Sequence, residues 1–291
     1  MKKQVTPDGL TVPGRSTGLI GALANTYLLN LIVRKELRVR YRGSALGMLW
    51  SYAKPAVQFL VFFFAIGVFM GMNRNIENYV VYMFSGVIVI NYFSEIFGNA
   101  TRILIGNKDL VKKIYLQREL FPLSSVVVAF VHFVPQVVIL VIGALIFGWR
   151  PGVMNLAAFL LGLVIITVFG LGLGLFAGAL NVMYRDAENF VDLLLMMVTW
   201  TSPVLYMWTM VREVLSGSWE WLWYVYMLNP ISAVVELFHK AFWEPTRGVD
   251  STLMLPSLWS WAGIGLLMSC VVLFIGDRTF KHYDGRFAQE L

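Results

Sequence analysis

Long uninterrupted apolar stretches dominate this chain, where a soluble protein would show a 3.6-residue stripe or a strict alternation. Six of them, at 45–70, 79–97, 123–147, 154–180, 190–207 and 258–275, approach the roughly 20 residues a helix needs to cross a hydrocarbon core. Backbone polar groups have no water partner there, so each stretch is predicted to be a helix and the fold an all-α membrane protein of six spans. Residues 1–27 contain no such run. Met1 to Ser16 is polar, with Pro7 and Pro13, and has no signal-peptide apolar core.

Three further elements lie outside the spans. Residues 28–43 are predicted to form an amphipathic helix on the membrane surface. At 100° per residue, Arg34, Lys35, Arg38 and Arg42 share one sector, and Glu36 and Arg40 face the other way at the i,i+4 spacing of an ion pair. Residues 108–118 are predicted to be a short helix, capped by Asn107 or Asp109 and ended by Pro122, with Leu110, Val111, Ile114 and Leu116 giving it an apolar side. Residues 208–242 are predicted to be short helices dipping in from the opposite surface. The last of these, Ile231 to Phe242, is expected to be amphipathic and carries Glu236, His239 and Lys240.

Composition excludes the alternatives. The 291 residues are 58% hydrophobic and 14% charged, with a mean hydropathy of +0.70, against about 25% charged in a soluble domain. A disordered chain and a water-soluble enzyme are both ruled out. Lys and Arg number 23 against 17 Asp and Glu, a net of +6, and where they sit tells more than the total. With six spans, 17 of the 23 fall on the side of both termini and 5 on the other. That bias places the termini in the cytoplasm and gives no reason to invoke nucleic acid. Most tryptophans fall on the opposite side or its boundary, as amphipathic rings do; Trp50 and Trp200 do not. The single cysteine, Cys270, excludes a disulfide framework and a Cys-based metal site.

Candidate chemistry is sparse, and no catalytic or metal-binding residue is expected. The chain lacks a G-x-x-x-x-G-K-[ST] phosphate loop, so ATP and magnesium chemistry has to lie on another polypeptide. Gly170, Gly174 and Gly178 at four-residue spacing predict close helix packing. Asn91, Glu95 and Asn99 share a face of the second span, and His132 lies in the third. These are read as hydrogen-bonding groups between helices, since an acid within a span needs a partner or water. Asp186, Glu188 and Asp192 resemble a carboxylate metal cluster, but are read as a cap and acids at the positive end of span five. Arg34, Arg38 and Arg42 suit a phosphate-bearing head group, and equally an anionic lipid surface. Phe59 and Phe63 in span one, with Trp200, Ser202 and Tyr206 in span five, offer rings and hydroxyls to a sliding polar chain.

Specific runs carry a resemblance. Arg38-Val39-Arg40-Tyr41-Arg42-Gly43-Ser44-Ala45-Leu46-Gly47-Met48-Leu49-Trp50 is similar to the start of the permease subunit of type-2 ATP-binding-cassette exporters of cell-surface polysaccharide. So are Leu110 to Pro122, Tyr184-Arg185-Asp186-Ala187-Glu188-Asn189, Ser202-Pro203-Val204-Leu205-Tyr206 and Asn229-Pro230. Gln117 stands where many relatives carry proline. The resemblance implies a homodimer in a bacterial inner membrane with two cytoplasmic ATPase subunits. It implies export of O-antigen, teichoic acid or galactan on a polyprenyl-pyrophosphate carrier. It also makes 108–118 a coupling helix, with Glu36, Asp109, Lys112, Lys113 and Arg118 as contacts for the ATPase. A type-2 exporter of drugs or small lipids, a membrane glycosyltransferase using Asp186, Glu188 and Asp192, and a channel are the competing readings.

Overall fold

The computed structural model describes residues 18–114, 116–217, 219–247 and 254–291. In chain order its helices are α1 (Gly18–Ala24), α2 (Thr26–Arg40), α3 (Trp50–Phe62), α4 (Met72–Asn75), α5 (Tyr79–Gly106), α6 (Lys108–Lys113), α7 (Leu120–Ile146) and α8 (Val153–Met183). They continue with α9 (Ala187–Val198), α10 (Trp208–Val214), α11 (Glu220–Leu228), α12 (Pro230–Phe238), α13 (Leu258–Asp284) and α14 (Phe287–Glu290). Among the described residues no strand is present. Four helices, α5, α7, α8 and α13, are long and apolar enough to cross a membrane. The N-terminal segment expected over 1–27 lies largely outside the described residues.

The two remaining predicted spans are interrupted. Over 45–70 the chain makes a 3₁₀ turn at Gly47–Leu49, enters α3, and widens into a π-helical stretch at Phe63–Phe69. Pro55 withholds one amide donor from α3. Within the π-helical stretch, Gly67 lies so close to α5 that a Cβ there would come 2.9 Å from the Tyr79 ring. Over 190–207 the helix stops at Val198 and irregular turns follow. Pro203 disfavours helical backbone at Ser202. Two tyrosines of α5 hold those turns: Tyr82 donates its hydroxyl to the carbonyls of Pro203 and Tyr206, and Tyr79 donates to Leu205.

The centre of the molecule is α5, buried along most of its length against α7, α8, α9 and α12. The glycine string on α8 does what its spacing predicts. A Cβ on Gly170 would press on Ile96, and one on Gly174 or Gly178 would strike Ala100 of α5. Gly172 faces the other way, where its carbonyl occupies the space a Cβ on Gly276 of α13 would need. Backbone thus meets backbone between α8 and α13.

The last of the helices expected to dip in from the surface lies wholly in the core. Helix α12 is buried along its whole length, wedged among α5, α8 and α13; it is not amphipathic in its setting. Glu236 is 2% exposed and His239 0%. The Glu236 carboxylate lies 3.4 Å from His239 Nδ1, and the imidazole stacks on Tyr82 at 3.8 Å between centroids. Asn229 caps α12 by accepting from the Ile231 amide, and Pro230 begins the helix where a missing N–H costs nothing.

Candidate functional site: a polar cleft beside a short surface helix

Helix α2 packs on α7 and reaches α5 and Asn107, the residue before α6, through side chains. Its rotation about its own axis decides which side chains do what. Arg34, Arg38 and Arg42 are exposed, as their shared sector requires. Glu36 is half-buried and Arg40, though largely exposed, turns its guanidinium toward α5; the two do not pair with each other. Glu36 instead contacts Lys35 at 2.9 Å and accepts from Asn107 Nδ2 at 3.1 Å, while Lys35 also donates to Asn107 Oδ1. Arg40 reaches Glu95 of α5 in an ion pair.

Glu95 is the hub of this contact. Its Oε1 lies 2.6 Å from Nδ1 of His132 on α7, and Tyr41 brings its hydroxyl to 2.6 Å from His132 Nε2. With Nδ1–H turned to the carboxylate, Nε2 is free to accept from Tyr41. Arg40 also lies 3.1 Å from the same ring. The intramembrane acid and the lone histidine therefore serve one another, as groups within a span must. Beside this cluster opens a cleft of about 560 Å³, lined by Tyr41, Ser44, Trp50, Asn91 and Gln136 in addition to the ionic residues. On the other side of Arg40 a second cavity of about 270 Å³ is lined by Lys35, Asn99, Arg102 and Ser125 among others. Asn99 Nδ2 and Ser125 Oγ are buried there without a hydrogen-bond partner among the described residues. Cationic, amide and hydroxyl groups with an indole at the edge suit an anionic, hydroxyl-rich ligand.

The helix expected over 108–118 is shorter than predicted. It ends at Lys113, and Ile114 turns to extended backbone. Pro122 does not end it; Pro122 sits in the first turn of α7, where proline is tolerated. Asn107 occupies the N-cap position of α6 without capping it, because its side chain serves Glu36, Lys35 and the Ile103 carbonyl. Lys108, Asp109, Lys112 and Lys113 are exposed. Arg118 is not: its guanidinium holds Asp284 at the end of α13, 3.0 Å from Oδ1.

The acids at 186–192 are also accounted for. Arg102 pairs with Asp192 and lies 3.9 Å from Glu188, so two of the three carboxylates face a guanidinium. Asp186 stands at the N-cap of α9 but makes no side-chain cap bond.

In the other half of the molecule, Phe59 and Phe63 stack at 6.2 Å and Phe62 meets Trp200 edge-on at 6.3 Å. Trp200 is 57% exposed. Tyr206 donates its hydroxyl to the Trp200 carbonyl at 2.6 Å. Phe59, Phe63 and Tyr206 are half-buried against the core, while Trp200 stands exposed. Ser202 does not join them: it is fully buried, 3.5 Å from Asn229 Nδ2, and offers no hydroxyl to a passing molecule. Arg40, Tyr41 and Asn107 were not expected at the site, whereas Glu95 and His132 make the interhelix hydrogen bond expected of them. A charged side chain within a span was the available signal.

Residues 27–243 match the family described as ABC-2 type transporter. An O-antigen export system permease protein RfbA of Klebsiella pneumoniae is 29% identical over 267 residues, a match covering 91% of this chain and 95% of the relative. The protein of the same name from Myxococcus xanthus is 29% identical over 264 residues, with the same coverage.

Proposed function

The chain belongs to the ABC-2 type transporter family, and on that premise we propose that it is the permease of an ATP-driven exporter of polyprenyl-pyrophosphate-linked polysaccharide. One observation carries this reading: the similarity to O-antigen export permeases runs across 91% of this chain and 95% of theirs. In the assembly two copies form a homodimer in a bacterial inner membrane with both termini cytoplasmic. Two ABC ATPase subunits dock from the cytoplasm and carry the ATP and magnesium. Interrupted helices α3 and α9, with the turns that follow α9, complete six crossings, and their exposed apolar faces supply the dimer contact.

Arg34, Arg38 and Arg42 draw the pyrophosphate head group to the membrane surface, and the cleft behind Arg40 receives it. Cation and amide donors there match phosphate and sugar oxygens. The glycan then slides past Phe59, Phe63, Trp200 and Tyr206, whose rings suit the apolar C–H faces of sugars. ATPase contact falls on Asp109, Lys112 and Lys113, while Glu36 and Arg118 act from behind, holding the coupling element in place.

The test is co-purification with the neighbouring ATPase, followed by hydrolysis in nanodiscs with polyprenyl-linked glycan added. Glycan should raise hydrolysis several-fold over lipid alone. Stimulation by small amphiphiles and not by glycan would move the protein to the drug or small-lipid exporters.

A further inference from the structure

The coupling element has a weakness that a thrust from outside would find. Between the end of α6 at Lys113 and the start of α7 at Leu120 the described chain is turns and extended backbone, joined to the flanking helices by single-turn hydrogen bonds such as Ile114 N–H to Leu110 and Leu120 N–H to Gln117, and not by a continuous helix that could carry load. Force on α6 would be absorbed in that linker unless something ties it down. Three contacts do so. Asn25, at the junction of α1 and α2, donates to Gln117 Oε1 at 3.0 Å. Lys35 and Glu36 grip Asn107 at the front of α6. The third contact comes from the far end of the sequence.

Arg118 donates to the backbone carbonyl of Asp284 and to its carboxylate, 3.0 Å away, and its guanidinium lies 5.9 Å from the centre of the Phe287 ring. Phe287 is fully buried, edge-on to Phe280 of α13 at 5.1 Å, in a core that includes Leu104, Val111, Leu120 and Phe121. Helix α14 accordingly packs on α6 and on α8. A half-buried ion pair, a cation over a ring and a buried aromatic at one point are more than a trailing segment needs.

We propose that residues 284–291 are a brace that joins the coupling element to α13, so that movement of α6 is delivered to α13 and α8 as well as to α5 and α7. Arg118 is then a positioning residue facing inward, not a contact for the ATPase. Because α13 and α8 meet backbone to backbone at Gly276 and Gly172, a push received at Arg118 moves both. The transport role rests on the permease reading above; the brace itself does not.

Two measurements separate them. In the permease alone, purified in nanodiscs, hydrogen exchange of residues 108–121 should speed up at least tenfold in Phe287→Ala, with α8 amides unchanged. No change at 108–121 overturns the brace, whatever the protein transports. In the full complex, Asp284→Arg should keep its bound ATPase and lose at least tenfold of glycan-stimulated hydrolysis. The exchanged pair Arg118→Asp with Asp284→Arg should recover at least a third of it. Wild-type stimulation in Asp284→Arg, or loss of the ATPase that the exchanged pair does not recover, overturns transmission through this junction. A wild-type complex that no glycan stimulates counts against the permease reading and leaves the exchange result standing.

Discussion

Arg40 and Glu95, 55 residues apart in the chain, form an ion pair that pins α2 to α5, and His132 of α7 completes it from the third side. Removing one partner strands the other charge beside an apolar helix. Glu95→Gln is therefore expected to lower stability by about 1–3 kcal/mol, discounted for the partial exposure of Arg40. A fall of several degrees in the detergent unfolding temperature, together with reduced surface glycan, is the expected outcome.

Arg38 stands on the outer face of α2, away from that cluster. Reversing its charge with Arg38→Glu should stop export while the dimer still assembles. Surface glycan on whole cells and particle size in detergent measure the two halves of this statement. Normal glycan would remove Arg38 from head-group attraction.

Lys112 and Lys113 are exposed on α6. The double substitution Lys112→Glu with Lys113→Glu should strip the ATPase from the purified permease, since reversed charge at an interface rim acts on encounter and partner choice. Membrane insertion and unfolding temperature should stay unchanged. An intact complex would place the docking surface elsewhere.

Gly276 has no room for a side chain against the Gly172 carbonyl. Gly276→Val forces α13 off α8 and is expected to cost about 1–3 kcal/mol. Gly263, where a Cβ meets nothing within 4 Å, is the control: Gly263→Val should leave thermal unfolding in detergent unaltered.

Glu236 and His239 form a buried polar pair, and His239 Nε2 has no partner among the described residues. Glu236→Leu and His239→Leu should each destabilise, and the double substitution should do so by less than their sum, because each single leaves a desolvated partner behind. A coupling of about 1 kcal/mol or more in a double-mutant cycle is expected. Additive effects would dissolve the pair.

Much of this architecture was legible from hydropathy. The four long helices begin and end within a few residues of their apolar stretches, except where α5 and α13 extend as helix beyond the apolar run. The glycine spacing on α8 identified a packing seam, although not that it has two sides. What failed did so for definite reasons. A hydropathy window counts apolar residues and cannot see a backbone break, so the π-helical stretch after Phe62 and the turns held by Tyr79 and Tyr82 were read as continuous spans. Helical periodicity grouped Arg34, Arg38 and Arg42 correctly, yet it carries no information on which sector meets the bundle. Hence Arg40 was paired with Glu36 along the helix instead of with Glu95 across it. Helix α12 reads as amphipathic in sequence, and only tertiary contacts reveal that Glu236 and the following His239 are enclosed. The remote partners of Arg118 and Gln117 lie 166 and 92 residues away, beyond the reach of any local pattern.

The close contact of Gly172 with Gly276 divides the molecule mechanically. With no side chains between them to repack, α8 and α13 have no second way to fit, and they travel as one rigid piece. Spectroscopic labels placed across that seam should report one separation throughout a transport cycle. Any change of internal shape has to be sought among thinly supported segments: α3 with its widened turn, and the broken strut after α9.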